Sequence, residues 1–127
     1  MKQSYSEITP YIRDLAALSI QNNHITPDMY TEYHVNRGLR DMNGNGVVTG
    51  LTEISRIRSK EITADGNTVP CKGKLFYRGI NVQDLIDGFV RDNRFGFEET
   101  TYLLLFSELP TSSQLERFRA ELADYRS

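Results

Sequence analysis

The chain has no tryptophan, a single cysteine and only two histidines. A disulfide within the chain needs two cysteines, so Cys71 cannot form one, and its lone thiol fits a reducing compartment. We therefore expect a cytoplasmic protein with Cys71 as a partly buried thiol. His24 and His34 lie outside any Cys/His cluster and at no common ligand spacing. The sequence therefore predicts no metal site and no metal cofactor.

Long apolar runs and an excess of positive charge are also missing. The longest clearly apolar stretch, residues 102–106, is far short of the roughly 18 residues that a membrane span needs. The opening segment, residues 1–5, has no apolar signal core, so we do not expect secretion. A formal net charge of -2 gives no general attraction for polyanions. We expect neither a membrane nor a nucleic acid as a partner.

Composition is that of a folded chain. A hydrophobic fraction of 39% and a charged fraction of 25% fit a soluble protein with a modest core. The length of 127 residues is one domain at most, and no second domain is expected. The same values also fit a segment of a larger core.

Capping signals divide the chain into helices. Thr9 before Pro10 and Thr26 before Pro27 each pair an N-cap residue with proline at the first helical position. They predict one helix that ends near Asn22 and a short one that ends by His34. Asn81 caps a further helix, in which Gly88 predicts weakness or interruption.

The last two predicted helices are apolar in different ways. The helix over residues 97–107 is apolar all round in its second half, which predicts burial. The capping box from Thr111 to Gln114 starts a final helix that runs to about Tyr125. Its apolar face consists of Leu115, Phe118 and Leu122.

Glycines and β-branched residues fill the middle of the chain. Residues 37–46 are rich in glycine and asparagine, which predicts turns with positive φ. The turn at residues 65–67 predicts a hairpin of residues 61–64 with residues 68–69. Pro70 predicts that this strand lies at an edge or ends there, and residues 74–78 predict a separate short strand. The fold class is therefore mainly α, with one small β-hairpin.

One combination of motifs is more specific than any of these patterns. It lies within residues 76–111 and comprises Tyr77-Arg78-Gly79, Asp84-Leu85, Phe97-Glu98-Glu99 and Glu108-Leu109-Pro110-Thr111. In this order the motifs resemble the amino-terminal signature of citrate synthases, and the resemblance extends over roughly residues 30–122. It implies that residues 1–127 are the amino-terminal segment of a citrate synthase-like large domain, truncated before the chemistry.

The resemblance also implies a reaction. Citrate synthases of the tricarboxylic acid cycle are acyltransferases that condense acetyl-CoA with oxaloacetate, and acetyl-CoA is a substrate and not a bound cofactor. The family uses an aspartate base, two histidines and carboxylate-binding arginines, and none of these maps onto this chain. We therefore predict no catalytic residue here. Two alternatives stay open, a 2-methylcitrate synthase-like enzyme and a non-catalytic module for binding or assembly.

Arginines and glutamates are the remaining candidate site residues. Gly38-Leu39-Arg40 matches a family segment whose arginine reaches the phosphates of coenzyme A, so Arg40 is the predicted coenzyme A residue of the complete enzyme. The alternative is a solvated arginine paired with Asp41, and Arg37 is a second candidate. Arg78 is interpreted as structural, tying the hairpin to a carboxylate or a helix C-terminus. Glu98 and Glu99 are adjacent on a helix and point about 100° apart, so they are not an acid-base pair.

Partners follow from the same resemblance. Citrate synthases are typically homodimers, and the remainder of the citrate synthase chain would be a partner of this segment. We also expect self-association, because the apolar helix at residues 97–106 and the face of Leu115, Phe118 and Leu122 lack an evident cover.

Overall fold

The computed structural model describes residues 6–126, so the opening segment at residues 1–5 lies outside the described residues. The described elements are the helices α1 (Pro10–Gln21), α2 (Pro27–Glu32), α3 (Val82–Arg91), α4 (Phe97–Phe106) and α5 (Ser112–Tyr125), with the strands β1 (Ser55–Ile62), β2 (Thr68–Tyr77) and β3 (Ile80–Asn81). The chain is thus mainly helical with a small antiparallel sheet, as predicted.

These elements form two compact units. Among the described residues, the first takes in residues 6–22 and 54–126, and it contains the sheet and four of the described helices. The second is Asn23–Glu53, with α2 and the glycine-rich loop. No helix among residues 6–126 has the length and apolar composition to cross a membrane.

Side-chain caps set three of the predicted helix starts, whereas Thr26 precedes α2 without a side-chain cap bond. The Thr9 hydroxyl accepts the backbone N–H of Ile12, and the Asn81 side chain accepts that of Gln83. Thr111 and Gln114 form the complete capping box of α5. Each contact satisfies an N–H group that has no partner within its own helix. The predicted starts of α1, α3 and α5 are therefore confirmed.

Gly88 does not interrupt α3, so this expectation is wrong. The helix continues to Arg91, and its C-cap Asp92 donates its N–H to the Gly88 carbonyl over 3.2 Å, while the next N–H, of Asn93, donates to the Val90 carbonyl over 3.1 Å. Glycine costs a helix only about 1 kcal/mol relative to alanine. A buried leucine side chain contributes about 1.5–3 kcal/mol and an N-cap about 1 kcal/mol, so Leu85 and the Asn81 cap offset that cost.

The hairpin is longer than predicted. β1 and β2 pair from Ser55 with Tyr77 to Ile62 with Thr68, with a register irregularity between Arg58 and Lys60. Residues 74–78 are therefore not a separate strand, and the strand does not end at Pro70. β2 is instead the central strand of the sheet.

Local hydrogen bonding explains why Pro70 is tolerated in a central strand. The N–H of Thr63 donates to the Asn67 carbonyl over 2.8 Å, so this pair is hydrogen-bonded. Pairs alternate in an antiparallel ladder, which makes Lys60 and Pro70 a pair without hydrogen bonds. β3 reaches only the last two residues of β2. Pro70 therefore removes no ladder bond.

The core of the first unit is an aromatic cluster. Tyr102 packs edge to face on Phe106 and Phe118, with ring centroids 4.6 and 5.4 Å apart, and Phe106 meets Phe118 at 6.0 Å. This geometry is the one that aromatic quadrupoles favour. Leu15 and Leu18 of α1 pack against the cluster.

Two expectations about apolar faces need correction. The face of Leu115, Phe118 and Leu122 is not open, because Leu115 is buried, Phe118 belongs to the aromatic cluster and Leu122 packs against that cluster. Leu105 was expected in the core, but half of its surface is exposed. In the same helix the side chains of Tyr102, Leu103 and Phe106 are buried.

Candidate functional site

The glycine-rich loop of the second unit folds back on itself at Arg40. Arg40 and Gly46 form an isolated antiparallel bridge, and the Asp41 N–H donates to the Asn45 carbonyl over 2.9 Å. Gly44 adopts a φ of 80°, which closes the turn. Of the three glycines in residues 37–46, Gly44 alone has a positive φ. The predicted positive φ values are therefore confirmed at one of these glycines and wrong at the other two.

Asp41 holds the interior of this turn. Its Oδ1 accepts the backbone N–H groups of Asn43 and Asn45, each over 2.8 Å, and its Oδ2 accepts from Asn45 Nδ2 over 3.1 Å. Hydrogen bonds from Asn45, chiefly its side chain, lower the pKa of the Asp41 carboxyl. The carboxylate is therefore ionised at neutral pH, and the turn loses this restraint only as pH falls through the lowered pKa.

The Arg40 guanidinium is directed to the same turn. Its Nη1 donates to the Gly44 carbonyl over 3.0 Å. The alternative interpretation paired Arg40 with Asp41, but this pair is not among the contacts of residues 6–126, where the Asp41 carboxylate accepts from loop amides. The guanidinium has five N–H donors, and within the described chain this bond engages one of them. Arg40 therefore presents an exposed, singly anchored cation.

The two histidines lie in the second unit, apart from any titratable cluster. His24 has 69% of its side chain exposed, and its Nδ1 lies 3.6 Å from the Glu53 carboxylate, which also accepts the His24 backbone N–H. His34 follows α2 in a left-handed conformation with a φ of 50°. Over residues 6–126 no group of three His, Cys, Asp or Glu side chains has metal-binding geometry.

Arg78 acts inside the fold. It follows β2, and its Nε and Nη2 donate to the Leu104 carbonyl of α4 over 3.0 and 2.9 Å. The C-terminal turn of a helix carries carbonyls without intrahelical partners and partial negative charge. The structural interpretation of Arg78 is therefore confirmed, with the helix C-terminus as the partner.

α1 completes the same cap. Ser19 Oγ donates to the Leu105 carbonyl over 3.3 Å, and Asn22 Nδ2 donates to the Phe106 carbonyl over 2.6 Å. The sequence predicts Asn22 only as the end of α1 and does not predict either capping role. The sequence signal for the Asn22 contact is its position, a polar side chain just past the end of an amphipathic helix, where it can reach a neighbouring helix.

Glu98 and Glu99 form separate ion pairs, as the helix geometry predicts. The buried Glu99 pairs with Arg94, which also contacts Asp92 at 3.1 Å. Glu98 lies 3.8 Å from Arg119. Hydrogen bonds from Arg94 lower the pKa of Asp92. This network joins α4 to its neighbours and does not resemble a pair of catalytic carboxylates, because each acid faces a different cation.

Together these features define the class of protein as a mainly helical scaffold with a small hairpin, a helix capped by an internal arginine, and an exposed arginine in a glycine-rich loop. Comparison with known proteins is consistent with this class. A family model described as "Citrate synthase, C-terminal domain" matches residues 41–127, so the matched region begins one residue after Arg40. The chain belongs to the citrate synthase family.

Curated relatives carry two kinds of name. The chain is 37% identical over 83 residues to 2-methylcitrate synthase 1 of Corynebacterium glutamicum, which is 65% of this chain and 17% of the relative. It is 43% identical over 51 residues to citrate synthase of Saccharolobus solfataricus, covering 40% of this chain and 12% of the relative. It is 39% identical over 61 residues to 2-methylcitrate synthase of Shewanella oneidensis, covering 47% of this chain and 15% of the relative.

The chain therefore spans only a small part of the length of these relatives. No solved structure matches it at comparable significance.

Proposed function

We propose that this chain is the amino-terminal scaffold of the large domain in a citrate synthase that condenses acetyl-CoA with oxaloacetate. The observation that carries the proposal is the family match over residues 41–127. The small share of each relative that the chain covers, 12% to 17% in the three compared, supports a scaffold whose chemistry is performed by residues outside it.

No residue of the chain receives a catalytic role in this proposal. Proton abstraction next to a carbonyl needs a base and a charge-stabilising group converging on one site. His24 is turned to Glu53 on an exposed surface, and Glu98 and Glu99 are each paired with an arginine. These engagements favour structural roles for the acids and for His24.

Arg40 is the chain's proposed contribution to substrate binding, through a phosphate of coenzyme A. Its exposure, its single anchoring bond and its place in a tight turn support this assignment. A guanidinium donates to a phosphate through two parallel N–H groups, so an arginine held at one nitrogen still offers a fork.

A 2-methylcitrate synthase is the second candidate function. It is favoured by the names of the relatives from Corynebacterium glutamicum and Shewanella oneidensis, which match at identities similar to that of the citrate synthase. Comparing kcat/KM for acetyl-CoA and propionyl-CoA in the complete enzyme separates the two, and the larger value identifies the substrate.

Self-association and a cytoplasmic location complete the proposal. Of the two faces predicted to drive association, the one on α5 is largely covered, but the helix over residues 97–106 exposes 72% of Phe97 and 50% of Leu105, which supports the proposal. Light scattering of the purified chain measures this association, and a monomer at high concentration would contradict it.

Kinetics of the complete enzyme test the role of Arg40. We expect Arg40→Ala to raise the KM for acetyl-CoA roughly tenfold, the size of one charge-assisted contact, with little change in the KM for oxaloacetate. Arg13→Ala, which removes an exposed arginine of α1, is the matched control and should change neither constant. An unchanged acetyl-CoA KM in Arg40→Ala would remove Arg40 from the coenzyme A site.

A further inference from the structure

The turn beside Arg40 contains an aspartate whose contacts are all directed inward. Asp41 fixes the backbone at Asn43 and Asn45, and the residue between them, Gly44, supplies the carbonyl that holds the Arg40 guanidinium. The carboxylate therefore sets the position of the group that anchors the neighbouring arginine.

We propose that Asp41 is a positioning residue for Arg40, which builds the turn that holds the guanidinium ready for a phosphate group of the acyl-CoA substrate. This inference rests on the proposed function of Arg40. It assigns to Asp41 an indirect role, through the loop backbone, and no contact with substrate.

The physical reason is preorganisation. A free arginine side chain loses rotamer freedom when it binds an anion, which costs affinity. The bond to Gly44 fixes part of that freedom in advance, but only if the carbonyl itself is held. Two backbone N–H bonds and one side-chain amide bond to Asp41 hold it.

Backbone contacts on both sides of the turn hold it independently of the Asp41 side chain. Asn36 donates its N–H to the Val48 carbonyl over 2.7 Å, outside the Arg40 and Gly46 bridge. Removing the Asp41 carboxylate should therefore loosen the tip and leave this outer pair in place. The first unit, with its separate core, should be unaffected.

The first measurement uses the 127-residue chain and needs no activity. In Asp41→Ala we expect the backbone order parameters of Asn43 and Asn45 to fall from about 0.85 toward 0.6, while those of the helices stay unchanged. Asp65→Ala, in the exposed hairpin turn, is the matched control and should leave the Arg40 loop unchanged. Unchanged order parameters in Asp41→Ala would overturn the proposal.

The second measurement is a double-mutant cycle in the complete enzyme. Asp41→Ala should raise the acetyl-CoA KM by at least about threefold without changing kcat, and Arg40→Ala with Asp41→Ala should be no worse than Arg40→Ala alone. Asp41→Asn, which keeps an acceptor for the two backbone N–H groups, should restore most of the affinity. Additive effects would show that Asp41 acts independently of Arg40 and would overturn the inference.

The outcomes separate this inference from the proposed function. If Arg40→Ala changes nothing, the coenzyme A assignment of Arg40 fails, and with it the inference. If Arg40→Ala raises the KM and Asp41→Ala does not, the assignment stands and the positioning role of Asp41 is wrong.

Discussion

At the scale of single residues, Arg40 and Arg78 both lie next to turns but have different surroundings. Arg78 is half-buried and gives two N–H groups to one helix carbonyl. Arg40 is exposed and gives one N–H group to a loop carbonyl. The Arg78 guanidinium is bound within the fold, whereas the Arg40 guanidinium gives one N–H group to the loop and is otherwise exposed.

At Gly96 the fold has no room for the Cβ atom that any other residue would add. A Cβ added there would lie 2.4 Å from a ring carbon of Phe89. Its backbone φ is -92°, which any residue adopts, so the Phe89 ring and not the backbone excludes a side chain. An added Cβ at Gly88, by contrast, meets nothing within 4 Å.

These two glycines give a matched prediction. Gly96→Ala should lower the free energy of unfolding by about 1–3 kcal/mol, because the ring must move. Gly88→Ala should raise it by up to about 1 kcal/mol, because alanine is the better helix former. Urea unfolding of both variants measures the difference. Equal effects would show that Phe89 does not pack on Gly96 as described.

At the scale of elements, α4 is held at its C-terminal end by side chains from elsewhere in the first unit. Arg78, Ser19 and Asn22 take the carbonyls of three successive residues, and Ser107 closes the helix in a left-handed conformation with a φ of 66°. The cap therefore ties the hairpin and α1 to the helix that carries the aromatic cluster.

Removing the Arg78 cap should destabilise the chain. Arg78→Ala leaves the Leu104 carbonyl without its charged donor, so we expect a loss of about 2 kcal/mol in the free energy of unfolding. Arg78→Lys should recover only part of it, because an ammonium group lacks the planar fork. Arg91→Ala, at an exposed arginine of α3, should cost less than about 0.5 kcal/mol. A cost for Arg78→Ala as small as that of Arg91→Ala would contradict the capping role.

Sequence reasoning predicted elements well where the cause is local. The Thr9, Asn81 and Thr111 caps depend on residues at most three positions away, so the starts of α1, α3 and α5 were predictable. The continuation of β2 through Pro70 depends on which pairs are hydrogen-bonded across the hairpin. This is set by the alternation that starts from the hydrogen-bonded pair of Thr63 and Asn67 at the turn, and the sequence alone does not give that register.

At the candidate site, too, the sequence predicts the residue but not the contacts that depend on the fold. Arg40 could be selected by the resemblance of its segment, but the bond to Gly44 and the inward contacts of Asp41 depend on the fold of the loop. The exposure of Leu105 was likewise hidden in an apolar run, because only packing decides which side of such a helix is covered.

At the scale of the whole molecule, the described residues divide into a core unit and a loop-bearing unit. The first has the aromatic cluster and the ion pairs of Arg94 and Arg119. The second has the Arg40 turn and the His24 contact with Glu53. Membership of the citrate synthase family is carried mainly by the first unit, since the matched residues 41–127 include all of its sheet and three of its helices.

The central proposal, a citrate synthase scaffold without the chemistry, is tested most directly by assaying the purified 127-residue chain. Thiol release is followed with acetyl-CoA or propionyl-CoA, with and without oxaloacetate, after circular dichroism confirms a mainly helical fold. We expect no oxaloacetate-dependent release above background, because no base and charge-stabilising groups converge within the described residues. Release that depends on oxaloacetate and scales with the concentration of the chain would contradict the proposal.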